Sequence, residues 1–238
     1  MKAPYAERLL RIWEGGRSAD PFVRARVMLL GLDEEGLLSE PGLREMTLGE
    51  RDRTLFEMRR RFFGDAIKGS APCPFCGERL EIVFNGRDVL SDVDIERPLQ
   101  MALQISEERA VVMRVPTMWD LEVAASAGDE QSVLSTILHR CVEGSEVLSD
   151  DVVEAVGEQV QRLDPDSQVM LAMLCPSCEK TVEHLFDIAG FLWEEIEGEA
   201  LRILRDVHRL ASGYGWRESD ILALSSVRRR AYLEMLPA

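Results

Sequence analysis

Two four-residue turns of one pattern constrain this chain more than any other feature of its sequence. They are Cys73-Pro74-Phe75-Cys76 and Cys175-Pro176-Ser177-Cys178. A CPxC turn aims two thiolates at one point, and two such turns complete a tetrahedral shell for a single zinc ion. Residues 77–174 lie between the turns, so a shared ion would close a loop of about 100 residues and couple metal binding to folding. The predicted ligands of this structural Zn²⁺ are Cys73, Cys76, Cys175 and Cys178.

The likeness between the two turns continues beyond their cysteines. An apolar residue, an acid, an aromatic ring and a polar side chain recur at the same offsets after each turn. Such alternation is typical of a short strand with one apolar and one polar side. One motif is therefore used twice, as a turn that runs into a strand. The corresponding residues are Leu80, Glu81, Phe84 and Asn85 after the first turn, and Val182, Glu183, Phe186 and Asp187 after the second.

Other uses of the cysteines stay open at this point. They could form two disulfides, or each CxxC could be a redox pair. Redox pairs of the thioredoxin kind lie between a strand and a helix, whereas β-type sequence follows both turns here. His184 could replace one thiolate as a ligand, but the four cysteines are better placed, and a histidine on a strand face is the simpler interpretation. Four thiolates leave no open coordination position, so we expect no catalysis at the metal.

The net charge of −15 is concentrated in the middle of the chain. Residues 71–190 carry 8 basic and 23 acidic side chains, a net of −15. Residues 1–70 carry 13 and 12, a net of +1, and residues 191–238 carry 7 and 8, a net of −1. A nucleic-acid-binding surface needs the opposite charge, so no nucleic-acid partner is expected. The acidic surface serves either solubility or docking to basic protein surfaces.

Composition and cysteine usage favour a globular cytoplasmic protein. No apolar run reaches the roughly 18 residues of a membrane span, and the stretch from Met1 to Arg8 lacks the apolar core of a signal peptide. Five cysteines, four of them in metal spacing, suit a reducing compartment. The fifth, Cys141, is expected to be a buried, inert thiol, because the neighbouring His139 would point elsewhere on a helix.

Apolar spacing, caps and turn signals predict a chain of helices interrupted by short strands. The clearest signal is the capping box Thr47-Leu48-Gly49-Glu50, followed by Leu55, Met58 and Phe62 at helical spacing and by Gly64 as a stop. The other predicted helices span residues 4–14, 21–31, 130–142, 150–162, 189–212 and 220–224, with one more beginning at Thr117 and a last one capped by Ser225 or Ser226. The predicted strands span residues 80–84, 99–105, 110–115 and 169–174.

These elements predict an α+β fold that is mostly α. Helical N- and C-terminal segments, residues 1–70 and 191–238, would surround a zinc-ribbon domain at residues 71–190. That domain would hold its Cys₄ zinc between the two turns and carry the acidic α+β insert, residues 77–174.

Two arginine triplets allow a second interpretation of the helices that carry them. Arg59-Arg60-Arg61 could grip phosphate, and Arg228-Arg229-Arg230, with the short C-terminal helices around it, could belong to a DNA-reading helix-turn-helix. Solvated helix faces and a plain αα-hairpin are the simpler interpretation, because the C-terminal segment has no basic arm to hold phosphates.

No common catalytic or nucleotide-binding motif occurs in the sequence. GxxxxGK[ST], GxGxxG after a strand, HExxH and GxSxG are all absent, and His139, His184 and His208 are far apart in sequence. We therefore expect no catalytic residues, no cofactor other than the metal and no small-molecule substrate. A zinc-ribbon regulator acting on nucleic acid is the alternative function, and an unrecognised hydrolase is a third hypothesis.

Two stretches together resemble a known group of proteins. One is Arg114-Val115-Pro116-Thr117-Met118-Trp119-Asp120-Leu121. The other runs from Phe191-Leu192-Trp193-Glu194-Glu195-Ile196 through Tyr214-Gly215-Trp216 and Ile221-Leu222-Ala223-Leu224 to Arg228-Arg229-Arg230-Ala231-Tyr232-Leu233. They resemble small proteins encoded with contractile phage tails and phage-tail-like injection systems, a group similar to the T4-type baseplate hub assembly proteins.

The resemblance covers residues 45–238 and implies a structural or assembly role. It implies other baseplate or tail proteins as partners, a cytoplasmic location in the tail particle or an assembly intermediate, and no catalytic residues. Trp193, Tyr214 and Trp216 are candidate docking anchors, because large aromatic side chains dominate protein–protein contacts. The alternative places all three in the protein's own core.

Overall fold

A computed structural model describes residues 5–91, 100–106, 109–143 and 149–236 and confirms the predicted α+β class, mostly α. Within these residues the helices are α1 (Tyr5–Gly16), α2 (Pro21–Leu32), α3 (Glu40–Glu45), α4 (Leu48–Phe63), α5 (Met118–Ala125), α6 (Glu130–Cys141), α7 (Asp150–Leu163), α8 (Ile188–Tyr214), α9 (Glu218–Leu222) and α10 (Ser226–Glu234). The strands are β1 (Ala66–Pro72), β2 (Arg79–Asn85), β3 (Gln100–Ser106), β4 (Arg109–Arg114), β5 (Val142–Glu143), β6 (Val169–Leu174) and β7 (Thr181–Phe186).

Helix boundaries agree with the sequence where the capping signals are strong. The Thr47 hydroxyl accepts from the Glu50 N–H at 3.3 Å, and the Glu50 carboxylate accepts from the Thr47 N–H at 2.8 Å, so the predicted capping box begins α4. Gly64 ends α4 at a φ of 92°, a conformation that favours glycine. A few positions of the predicted elements lie outside the described residues. They are residue 4 of the first predicted helix, residue 99 of a predicted strand, and residues 107 and 108 of the predicted turn between two strands.

The chain divides into two compact units that differ from the three predicted segments. A terminal unit combines residues 1–38 with residues 189–238, and a central unit comprises residues 39–188. The first boundary thus falls at residues 38–39 rather than at residue 70, because α3 and α4 pack within the central unit. The charge asymmetry persists in this division: the terminal unit carries 13 basic and 14 acidic side chains, a net of −1, and the central unit 15 and 29, a net of −14.

The terminal unit is helical, with a core built from both ends of the chain. Helices α1 and α2 pack closely, and a Cβ at Gly31 would lie 2.3 Å from Ile12 Cγ1. Trp193 of α8 is buried, and the guanidinium carbon of Arg24 lies 4.6 Å from the centroid of its ring. Trp193 is therefore a core residue of its own unit. This agrees with the alternative prediction, which placed its side chain in the core rather than at a docking surface.

The C-terminal aromatic residues pack mainly on one another. The rings of Tyr214 and Trp216 stack at 4.7 Å between centroids, and Tyr232 meets the Trp216 ring edge-on at 4.8 Å. The Tyr214 hydroxyl donates to the Tyr232 carbonyl oxygen at 3.1 Å. The spacing of tyrosine and tryptophan in this segment therefore serves to join the end of α8 to α10.

Each arginine triplet has one buried member, whereas Arg61, Arg228 and Arg230 are exposed, as predicted for solvated helix faces. Arg59 is 4% exposed and donates from Nη1 to the Gly64 carbonyl oxygen at 2.7 Å. Arg229 is 2% exposed, and its Nε and Nη1 atoms are buried without a hydrogen-bond partner. Burial lowers the pKa of Arg229, and neither side chain presents its guanidinium group to a phosphate backbone.

The insert of the central unit builds its own core around a small antiparallel sheet. Strands β3, β4 and β5 pair in that order, and α6 and α7 contribute to the same apolar cluster. The two-residue strand β5 was not predicted, because a run this short carries no periodicity. The fully or nearly buried members of this cluster are Val111, Met113, Leu138, Val142, Val152 and Val156.

Asp120 organises the turn that leads from β4 into α5. Its carboxylate is fully buried and accepts two hydrogen bonds from Arg114, at 2.6 and 2.8 Å, and one from Arg140 Nε at 2.8 Å. The backbone N–H and hydroxyl of Thr117 each add a hydrogen bond at 2.9 Å. The stretch 114–121, singled out by its resemblance, is therefore an ion-pair and capping motif that Arg140 of α6 completes.

The end of the insert is fastened to α4 by two buried carboxylates. Asp164 accepts from the Thr47 hydroxyl at 3.0 Å and from the Gly49 N–H at 2.8 Å, at the N-terminal turn of α4. Asp166 accepts a hydrogen bond from the guanidinium group of Arg53 in α4, and another from the Ser91 N–H at 2.8 Å. The negative charge of Asp164 at the N-terminus of α4 also complements the helix dipole. These contacts bring the chain to β6 and hence to the second cysteine turn.

Candidate metal centre

The two cysteine turns connect the strands of two hairpins built alike. The first hairpin pairs β1 with β2 and the second pairs β6 with β7, both antiparallel. In each, the residue just before the first cysteine pairs with the residue three positions after the second: Pro72 with Arg79, and Leu174 with Thr181. The duplication noticed in the sequence therefore includes a strand before each turn, and β1 is the member that sequence reasoning missed.

The backbone of the two turns is also equivalent. In the first, the Cys73 N–H donates to the Glu78 carbonyl oxygen at 2.7 Å and the Gly77 N–H donates to the Cys73 carbonyl oxygen at 2.9 Å. In the second, the Cys175 N–H donates to the Lys180 carbonyl oxygen at 3.0 Å and the Glu179 N–H to the Cys175 carbonyl oxygen at 2.9 Å.

The position after the second cysteine is left-handed in both turns. Gly77 has a φ of 77° and Glu179 a φ of 57°, and Glu179 is the sole non-glycine residue with positive φ in the described chain. A non-glycine residue in this region is uncommon and is held there by its surroundings. The second turn therefore keeps the geometry of the first without the residue that adopts it most easily.

Side chains also connect the two turns in matching pairs. The Ser177 hydroxyl donates to the Glu78 carboxylate at 2.8 Å, and the Lys180 ammonium lies 4.4 Å from the centroid of the Phe75 ring. In both pairs the third residue of one CPxC contacts the residue two positions after the last cysteine of the other. The two turns are thus equivalent in their side-chain contacts as well as in their backbone hydrogen bonds.

The four turn cysteines meet at one point, as predicted. All four Sγ atoms lie within 4.8 Å of one another. Between turns, Cys73 and Cys178 approach to 3.7 Å and Cys76 and Cys175 to 3.6 Å. Sulfur atoms at the corners of a tetrahedron around a metal at about 2.3 Å would lie about 3.8 Å apart, so the donor set has the spacing of a four-thiolate site.

Without a cation, the crowded thiols cannot all ionise. Burial opposes ionisation of Cys73, but N–H groups of Phe75 and Cys76 and neighbouring thiols outweigh it and lower the pKa of Cys73 to about 7. The Glu78 N–H favours the Cys76 thiolate, yet burial and hydrogen bonds with the neighbouring cysteines raise the pKa of Cys76 to about 12. One thiolate thus forms readily, and a bound cation would stabilise the rest.

An apolar layer supports the sulfur atoms from the inner faces of the hairpins. Cys73, Cys175, Leu80 and Val182 form one buried cluster, in which Leu80 and Val182 occupy equivalent positions of β2 and β7. Further along the same strands, the equivalent rings of Phe84 and Phe186 meet edge-on with centroids 5.0 Å apart. The apolar side of each strand, predicted from the sequence, therefore faces its twin.

The structure disagrees with the other uses considered for the cysteines. All five cysteines are free thiols, and each CPxC connects two strands rather than a strand and a helix. His184 lies on β7 opposite Leu171 and outside the group of ligand atoms found in the described chain. Four cysteines can therefore hold a metal ion with no contribution from the histidine.

Cys141 is the buried, inert thiol that was predicted. Burial raises its pKa to about 12, with the nearby Asp120 carboxylate adding to the effect. Its Sγ lies 3.7 Å from Asp120 Oδ2. His139 is exposed on α6, where its Nδ1 lies 2.7 Å from the Ser135 carbonyl oxygen, so the two residues form no nucleophile–base pair.

Comparisons with other proteins add no relative. No protein-family model, no curated protein and no solved structure matches this chain. The resemblance to proteins of contractile tails therefore stays a prediction. In the described part of the chain, no helix combines the length and the apolar character needed to span a bilayer.

Proposed function

We propose that Cys73, Cys76, Cys175 and Cys178 hold one structural Zn²⁺ and that the paired hairpins are a zinc ribbon. The sulfur spacing supports this proposal, as does the closed donor set, which leaves no ligand position for substrate. Bound metal would neutralise the four thiolates and join two segments that are about 100 residues apart in sequence.

Elemental analysis of the purified protein tests the metal. About one zinc per chain is expected, with no visible absorption, because Zn²⁺ has a filled d shell. One iron per chain with a thiolate-to-iron charge-transfer band would contradict zinc while preserving the site. A protein that folds fully with less than about a tenth of a metal ion per chain would contradict a structural metal altogether.

We further propose that the protein is a structural or assembly component of a contractile tail or injection-system baseplate. The observation that carries this proposal is the resemblance of residues 114–121 and 191–233. The structure is compatible with it, since both stretches form compact structural motifs: the Asp120 ion-pair network, and the packing of Tyr214, Trp216 and Tyr232. The protein would act in the cytoplasm through contacts with other baseplate or tail proteins.

Affinity purification from a host that expresses the tail cluster tests this role. Baseplate or sheath proteins should be recovered with the tagged chain in defined ratios. Recovery of the free protein alone, from lysates in which assembled tails are present, would contradict the proposal. Salt-sensitive binding to duplex DNA would also contradict it, because that result is the signature of a nucleic-acid regulator.

A further inference from the structure

The two hairpins also differ on the side that faces away from their shared apolar layer. We call this side the outer face, and in both hairpins its residues are exposed. On the first hairpin it comprises Lys68, Ser70, Pro72, Arg79, Glu81 and Val83. On the second it comprises Met170, Ala172, Leu174, Thr181, Glu183 and Leu185.

The outer face of the second hairpin carries three large exposed apolar side chains, whereas that of its twin carries one, Val83. Met170, Leu174 and Leu185 are 48%, 66% and 63% exposed, and Met170 pairs with Leu185 across the hairpin. The equivalent of Met170 in the first hairpin is Lys68. The equivalents of Leu174 and Leu185 are Pro72 and Val83, so only Met170 has a polar counterpart. The same backbone and register therefore form without an apolar residue at the position of Met170.

The charge on the two outer faces differs in a matching way. Both keep an acid at the same position, Glu81 and Glu183. The outer face of the first hairpin also carries two cations, Lys68 and Arg79, which give it a net charge of +1, whereas that of the second has no basic residue and a net charge of −1. Among the described residues, neither Glu81 nor Glu183 forms an ion pair, so the two faces differ in their cations and not in the pairing of their acids. The second face is therefore an apolar surface with one carboxylate and no cation.

We propose that the outer face of the second hairpin is a docking site for a partner segment in which a lysine or arginine is flanked by apolar residues. The cation would pair with Glu183 on a face that, unlike that of its twin, carries no cation of its own. The apolar flanks would cover Met170, Leu174 and Leu185, since exposed apolar patches of this kind mark interaction sites. The proposal deepens the proposed baseplate role, on which it rests for the partner being a protein.

A second copy of the chain is a poorer occupant than a basic partner. Association of two outer faces would bring two Glu183 carboxylates together and would join two central units that each carry a net charge of −14. Like charges across an interface oppose association, whereas a basic segment is attracted to the same surface. The negative charge of the central unit therefore favours a heterologous, basic partner.

Selection from a displayed library of random seven-residue peptides, with the full-length metal-loaded protein as bait, tests the site. Enriched peptides should carry Lys or Arg between apolar residues and should bind less tightly as salt rises. The double variant Met170→Lys/Thr181→Arg gives this face the cations of its twin and should weaken a selected peptide about tenfold or more, because it removes an apolar contact and neutralises the carboxylate. Fluorescence anisotropy measures the change.

Matched variants make the outcome decisive. Lys68→Met, on the twin, should leave peptide binding unchanged, and Glu183→Gln should weaken binding and reduce its salt dependence. Unchanged metal content and melting temperature establish that each variant is folded. No enrichment, enriched peptides without a basic residue, or equal binding by the double variant would overturn the proposal. A dimer in sedimentation analysis that the double variant dissociates would also overturn it, in favour of a second copy.

This experiment separates the docking site from the baseplate role. The selection contains no tail protein, so peptide binding without recovery of tail proteins would leave the site standing and remove the proposed function. Recovery of tail proteins by the double variant as well as by the parent would support the function and overturn the site.

Discussion

Asp120 shows how one buried charge can specify a local structure. The Arg114 and Arg140 guanidinium groups and the Thr117 N–H and hydroxyl all donate to its carboxylate, which has no exposure to water. Burial alone would raise the pKa of Asp120, but these donors outweigh it and hold the pKa well below its usual range. The carboxylate therefore stays ionised through the neutral and mildly acidic range.

Asp120→Asn is expected to destabilise the central unit by about 2–4 kcal/mol, because it leaves two arginines without their shared anion. Since the folded pKa is depressed, the ion pairs contribute fully above the unfolded pKa of about 4 and are lost as pH falls below it. Urea unfolding from pH 3 to pH 7 measures the difference. Glu154→Gln, the same chemical change at an exposed site on α7, should have little effect. Equal loss in both variants would contradict the network's role.

The pKa of Asp52 is shifted in the opposite direction, so its expected effect on stability against pH has the opposite sign. Burial raises its pKa to about 6 against the lowering effect of Arg51, and Asp187 and Asp164 raise it further. Because the folded protein holds this proton more tightly, stability falls as pH rises from about 4 to about 6. Asp52→Asn should remove that part of the slope and stabilise the protein by up to about 2–3 kcal/mol at pH 7. Parallel curves of unfolding free energy against pH for variant and parent would contradict this.

At the residue scale, sequence reasoning succeeded where the chemistry is local. The Cys73–Cys76 turn and its twin, and the Thr47 capping box, are signals contained within four residues. It did not find Asp120 or the burial of Arg229. Arg140 is 20 positions from Asp120, and no short pattern distinguishes an arginine that faces a core from one that faces water.

At the scale of elements, the duplicated hairpin is the unit on which the metal site depends. Each hairpin supplies two sulfur atoms and one apolar inner face, and neither supplies a complete tetrahedral shell. Binding of an ion by the paired hairpins should therefore be cooperative with folding of the central unit.

Cys73→Ser and Cys175→Ser test that coupling, one in each hairpin. Both should lower metal content well below one ion per chain and lower the melting temperature by about 10 °C or more, since each removes a ligand and with it the loop closure. Cys141→Ser is the control and should retain one metal ion per chain. Thermal melting with elemental analysis makes the comparison. A parent-like melting temperature for either ligand variant would show that metal and fold are independent.

Most helices could be predicted from apolar spacing and caps, whereas several short elements could not. Strand β1 contains one β-branched residue, Ile67, and a glycine, Gly69, so it has little strand propensity of its own. It is a strand because it pairs with β2 and because the second hairpin has the same plan. The internal repeat was the signal that could have found β1. Comparing the residues before each cysteine turn, as well as those after it, would have indicated a strand at both places.

At the scale of the whole molecule, the order of segments along the chain differs from their grouping in space. The terminal unit is formed by residues from both ends, and the central unit is continuous in sequence. The central unit contains both cysteine turns, the insert, and the contacts of Asp164 with α4. All four cysteines of the candidate metal centre therefore belong to one unbroken stretch.

Residues 39–188 expressed alone should therefore bind one metal ion per chain and unfold cooperatively. Residues 1–38 expressed alone should remain unfolded, because the core of their unit includes α8. Circular dichroism and elemental analysis of the two fragments check this. A central fragment that takes up no metal, although it is helical, would contradict the assignment of the site to this unit.

The distance along the chain between the two cysteine turns also matters while the protein is being made. Cys73 and Cys76 leave the ribosome about 100 residues before Cys175 and Cys178. At roughly 5–20 residues per second, the first pair waits on the order of 5–20 s for the second. During that interval the nascent polypeptide exposes two thiols that oxidants or competing ions can reach. The redox state and metal supply around translating ribosomes therefore influence how many newly made molecules mature.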